Sequence, residues 1–73
     1  MKHHRYRIAL EAAGIVDADN VSEDHLGEYK DRNREIIRML LSGSSLSEVA
    51  QEHNLSRERV RSLAHIVSRK HKA

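Results

Sequence analysis

The chain has no cysteine, proline, tryptophan or phenylalanine, and two tyrosines supply its only benzenoid rings. Without cysteine there is no disulfide framework and no thiolate metal site, a composition that fits the cytoplasm. Its three glycines, Gly14, Gly27 and Gly43, stand apart from one another, as helix ends do and as a phosphate-binding loop does not. No apolar run approaches the ~20 residues that a membrane helix needs. The longest candidate, Ile8 to Val16, is short and interrupted by Glu11, so no signal peptide is expected. Seventy-three residues make one small domain with a modest core, and its stability is expected to be only a few kcal/mol.

Charge is abundant, but its balance is small, at +2. Its distribution is more informative. Residues 1–10 hold Lys2, Arg5 and Arg7 and no acid. Residues 11–28 hold Glu11, Asp17, Asp19, Glu23, Asp24 and Glu28 and no Lys or Arg. Residues 57–73 hold Arg57, Arg59, Arg61, Arg69, Lys70 and Lys72 against Glu58 alone. A basic arm, an acidic segment and a basic C-terminal helix therefore follow one another. Phosphate contacts supply most non-specific DNA affinity, and the C-terminal helix offers several. The acidic segment cannot lie far beyond a Debye length of ~8 Å from a DNA-facing surface in so small a body. The isolated protein is expected to bind DNA weakly, which argues for a protein partner.

Residues 45–69 carry the clearest local pattern. Ser45 and Glu48 form an S-x-x-E capping box, so a helix is predicted to begin at Leu46. Leu46, Val49 and Ala50 give it an apolar face. It should end near His53, with Asn54 taking the left-handed conformation of a tight turn and Leu55 tucking beneath it. Ser56 is a second N-cap. The helix it opens carries Val60, Leu63, Ala64 and Val67 on one side. Small Ala50 permits a close helix crossing. The pattern predicts a helix-turn-helix, a unit that commonly presents its second helix to the DNA major groove. A plain helical hairpin with no nucleic-acid role has the same geometry.

Upstream, Tyr6 to Ala13 is predicted helical, with Ile8, Ala9 and Ala12 on one side and Gly14 at its end. Asp17 to Asn20 reads as a loop among Ile15, Val16 and Val21. Ser22 caps a short helix that breaks at Gly27. A stronger helix runs from Tyr29 or Asp31 to Ser42, with Ile36, Ile37, Leu40 and Leu41 as its apolar face and Gly43 as its stop. The fold class expected is all-α, a three- to four-helix helix-turn-helix domain at 8–73, preceded by a flexible basic arm at 1–7. Such an arm either frays or orders on a partner. Tyr6 between Arg5 and Arg7 suits the second use, because Tyr and Arg dominate interface hot spots.

Leu46 to Leu63 resembles the helix-turn-helix of region four of bacterial sigma factors. Ser56-Arg57-Glu58-Arg59-Val60-Arg61 stands against that family's Thr-Arg-Glu-Arg-Ile-Arg. The likeness covers about a third of the chain, or half with Arg34 to Gly43 included. In the family the first Arg, the Glu and the last Arg of the motif reach promoter DNA, which implies that role for Arg57, Glu58 and Arg61. Ser62 stands where the family often has Gln, and its side chain is shorter than the one that makes that base contact. The family domain also binds RNA polymerase through a different face. A chain of this length has no room for the domains that melt a promoter or grip the polymerase clamp, so a lone module of this kind implies a regulator. In length and whole sequence it also resembles small phage-encoded transcription regulators that bind RNA polymerase. That likeness implies a factor in the host bacterial cytoplasm that binds the large subunit of bacterial RNA polymerase and suppresses sigma-dependent initiation, with an effect on termination left open.

Three functions compete. A polymerase-binding regulator would dock through Lys2, Arg5, Tyr6, Arg7, Arg57, Arg59 and Arg61. A sequence-specific DNA-binding repressor would read bases with Arg57, Glu58 and Arg61, keep Ser62 on the DNA-facing side, and hold phosphates with Arg59, Arg69, Lys70 and Lys72. No long apolar seam remains for a dimer, so a monomer is expected. A bare interaction module could use the acidic segment to mimic nucleic acid. Catalysis is not expected, because no nucleophile elbow or phosphate loop accompanies the Ser, His and Asp residues, and Asp17 and Asp19 lack an apolar pocket. No metal or other cofactor is expected either. His3 and His4 are adjacent in the arm, and His53, His65 and His71 lack the i, i+4 pairing of a helical metal site.

Overall fold

The computed structural model describes residues 5–72, which form five α-helices and a 3-10 turn with no strand among them. They are α1 (Arg5–Ala12), the 3-10 turn (Ala18–Asn20), α2 (Glu23–Leu26), α3 (Lys30–Leu41), α4 (Leu46–His53) and α5 (Arg57–Lys72). Lys2, His3 and His4 lie outside the described residues.

The caps form as their spacing requires. The Glu48 N–H donates to Ser45 Oγ at 3.1 Å, and the Ser45 N–H donates to Glu48 Oε1 at 2.8 Å. Two orphan donors at the start of α4 are thereby satisfied. Asn54 is left-handed at φ 56°, ψ 46°, and the Leu55 N–H closes the turn on the Ala50 carbonyl at 2.8 Å. The Arg59 N–H then donates to Ser56 Oγ at 3.1 Å, which starts α5. Its helix continues to Lys72, three residues past the expected end of the unit at 69. Four basic or imidazole side chains in that last turn oppose the negative end of the helix dipole.

Helices α3, α4 and α5 enclose the core with Ile36, Ile37, Leu40, Val49, Val60 and Val67. The N-terminal element contributes to the same core through Leu10, Ile15, Ala18 and Val21. Arg34 ties the two together, donating to the carbonyls of Ala18 at 2.6 Å and Val21 at 3.1 Å. Asn33, buried among apolar neighbours, donates to the Leu26 carbonyl at 2.6 Å and so fixes α3 to the end of α2.

Two expectations need correction. Of the arm expected at 1–7, residues 1–4 lie outside the described residues, and Arg5, Tyr6 and Arg7 form the first turn of α1, where Tyr6 packs on the core and Arg7 lies 4.0 Å from Glu11, one turn on. The apolar side expected for α1 is the wrong one. Ile8 is 60% exposed, and Ala9 and Ala12 also face out, whereas Leu10 is fully buried with Tyr6 and Ala13 on its side. Tyr6, Leu10 and Ala13 are spaced four and three apart and face both α3 and α5. Val16 is exposed, while its neighbours Ile15 and Val21 are buried around the 3-10 turn. Gly14, at φ 90°, makes the sharp exit from α1 that lets the Ile15 N–H reach the Leu10 carbonyl at 2.9 Å.

Candidate functional site

The first turns of α5 carry the exposed polar residues of the helix-turn-helix. Val60, Ala64 and Val67 turn inward, so Arg57, Glu58, Arg61, Ser62 and His65 are left on the outer face. Arg61 and Glu58 form a two-pronged pair, Nε to Oε1 at 3.1 Å and a terminal nitrogen to Oε2 at 2.6 Å. Those hydrogen bonds, then the opposite charge, hold the Glu58 carboxyl below its ordinary range and raise Arg61. Tyr6 adds a smaller upward effect on Arg61. Its ring also meets His65 edge-on at 6.2 Å.

The start of α1 therefore sits beside the start of α5. Arg5, Tyr6 and Arg57 line one open concavity with Ser45, Leu46 and Ser47. Leu46 and Arg57 also line a second concavity with Glu58 and Arg61. The structure thus brings together Arg5, Tyr6, Arg57 and Arg61 from the residues singled out in the sequence. It does not bring Arg7 or Arg59 to them. Arg7 is half-buried near Glu11. Arg59 lies two residues from both Arg57 and Arg61, which turns it to the other flank of α5. There it lines an apolar groove with Arg32, Leu55, Ser62, Leu63 and Ile66. Arg69 and Lys70 are exposed at the far end of α5.

Sequence reasoning missed Ser47, His65, Tyr29 and Arg32 as surface partners. His65 was accessible to it, lying one turn beyond Arg61 on the same face. Arg32 stacks over Tyr29 at 4.6 Å, an i, i+3 neighbour relation also readable from spacing. Among the described residues no three of His, Cys, Asp and Glu stand where they could hold a metal ion; His25 and His71 meet edge-on at 6.1 Å.

A capped helix-turn-helix with a basic exposed helix defines a small transcription-type domain. Residues 26–70 match the family of sigma-70 region 4, and since they span more than half of the chain, the protein belongs to that family. Domains of this family act in transcription through contacts with DNA and RNA polymerase. Neither a curated protein nor a solved structure matches the chain. The family match begins at residue 26, so α1 and the 3-10 turn lie outside it. No described helix is long and apolar enough to cross a membrane.

Proposed function

We propose that this protein is a phage transcription regulator that binds host RNA polymerase and inhibits sigma-dependent initiation. The observation that carries the reading is the addition of α1 to a sigma region 4 domain. Arg5 and Tyr6 stand next to Arg57 and Arg61, which joins an arginine–tyrosine corner to the basic helix. Tyr and Arg are the side chains that anchor protein interfaces. The likeness in length and whole sequence to the small polymerase-binding regulator of a Xanthomonas phage supports the same reading. By occupying surface on the polymerase, the protein would displace sigma or alter later steps such as termination.

The test is co-elution with bacterial core RNA polymerase at ~0.15 M salt, with and without sigma. A stable complex that sigma weakens is the expected result. No complex with either of two bacterial polymerases would overturn the reading. A sequence-specific DNA-binding repressor is the second reading, favoured by the exposure of Arg57, Glu58, Arg61 and Ser62 on one face of α5. A footprint from the protein alone at the same salt would place that reading first.

A further inference from the structure

We propose that α1 carries a backbone-phosphate clamp, in which Arg5 and Tyr6 act with Arg57 to hold a phosphodiester of duplex DNA beside the exposed face of α5. The inference goes beyond polymerase binding and requires only the protein and a duplex.

Three elements converge on the clamp. Arg5 and Tyr6 come from α1, Ser45 and Ser47 from the start of α4, and Arg57 from the start of α5. The concavity between them measures about 420 Å³ and is open to solvent. Among the described residues no carboxylate lines it. The Arg5 guanidinium lies 5.9 Å from the centre of the Tyr6 ring. Neither Arg5 nor Arg57 forms an ion pair among the described residues, whereas Arg38 and Arg61 do. Two guanidinium groups without ion pairs among the described residues, a phenol and serine hydroxyls are the chemistry that recognises an oxyanion, and the nearest capping carboxylate, Glu48, is turned to the Ser45 N–H at 2.8 Å. Arginine in particular matches the geometry of phosphate oxygens with paired N–H donors.

The position of the clamp selects the polymer that carries the phosphate. Arg57 belongs both to this concavity and to the one lined by Glu58 and Arg61. In a helix-turn-helix the second helix enters the major groove while the first crosses the backbone. An anion held between α1, α4 and Arg57 therefore lies at the edge of the groove that α5 would enter. Phosphate contacts of this kind fix register and orientation without reading sequence. Because Arg5 and Tyr6 also belong to the proposed polymerase surface, a polymerase seated on them would exclude the duplex.

The test is fluorescence anisotropy with a labelled duplex of mixed sequence, titrated between ~50 and ~200 mM salt. Arg5→Ala and Arg57→Ala are each expected to weaken binding severalfold. Each should also reduce the slope of log affinity against log salt by about 0.9, the signature of one lost phosphate contact. Lys30→Ala, on α3 and outside the candidate DNA-facing residues, reports the effect of removing any cation. Circular dichroism checks that each variant is folded, and Arg5→Lys, which keeps the charge, should retain the slope. The proposal is overturned if the wild-type protein does not bind the duplex at ~50 mM salt. It is equally overturned if Arg5→Ala leaves affinity and slope unchanged, or changes them no more than Lys30→Ala does. Loss of core-polymerase co-elution by Arg5→Ala with duplex affinity intact would assign this face to protein alone.

Discussion

Glu58 and Arg61 are one turn apart, both are exposed, and their two-pronged bond neutralises a base-reading candidate in the free protein. The bond depresses the Glu58 carboxyl in the folded state, mainly by hydrogen bonding to Arg61 and then by its charge. A depressed carboxyl stabilises the fold fully above its unfolded-state pKa and loses that contribution as pH falls through its folded-state value. The stabilisation from this pair should therefore be constant at neutral pH and fade below the ordinary glutamate range. Exposure to solvent keeps it small. A carboxyl NMR titration is expected to place the Glu58 midpoint below that of free glutamate, and Arg61→Ala should move it back up. An unchanged midpoint in that variant would remove Arg61 as the cause. Single residues differed in how much the sequence revealed of them. Asn54 was legible because a left-handed residue between two caps needs a type that tolerates it. Asn33 was not, because it sits in the polar run Lys30–Glu35, and only the position of the Leu26 carbonyl gives it a buried role.

At the scale of elements, α4 and α5 were legible nearly to the residue because local chemistry fixes both of their starts. Helix α1 was legible as a helix, but its face was not. Eight residues make little more than two turns, and two apolar stripes were available, Ile8–Ala9–Ala12 and Tyr6–Leu10, the second continued by Ala13 just past the helix end. Contacts with α3 and α5 decide between the two, and these are set by residues more than twenty positions away. The choice has a measurable consequence. Leu10→Ala empties a fully buried site and should cost about 2–5 kcal/mol, a large share of the stability of a domain this small. Ile8→Ala, at an exposed position, should stay within about 0.5 kcal/mol. Urea titration of both variants by circular dichroism checks the contrast, and equal losses would contradict the burial of Leu10.

At the scale of the whole molecule, the three blocks of charge do not behave alike once folded. The acidic segment is partly neutralised against α3, where Asp19 meets Arg38 at 2.7 Å and Glu23 meets Lys30 at 3.4 Å. Arg5 and Arg57 form no ion pair among the described residues and share one concavity beside the start of α5. Sequence order displayed the blocks, but it could not show which cations the acids would take up. The core has a similar division. Leu26, Ile36, Ile37, Leu40, Val49, Val60 and Val67 fall within the sigma region 4 match, whereas Leu10, Ile15, Ala18 and Val21 precede it and are buried against the same interior. The N-terminal element is thus part of the hydrophobic core as well as the bearer of Arg5 and Tyr6. A fragment spanning 26–73 would lose those four apolar side chains and leave Arg34 without the Ala18 and Val21 carbonyls that it binds. Removing that much apolar burial from a marginally stable domain should abolish cooperative folding. Thermal melting of the fragment by circular dichroism is expected to show a broad, non-cooperative loss of helix where the full chain shows a single sharp transition. A sharp transition within a few degrees of the full chain would mean that the family domain folds by itself and that α1 is only an appendage to it.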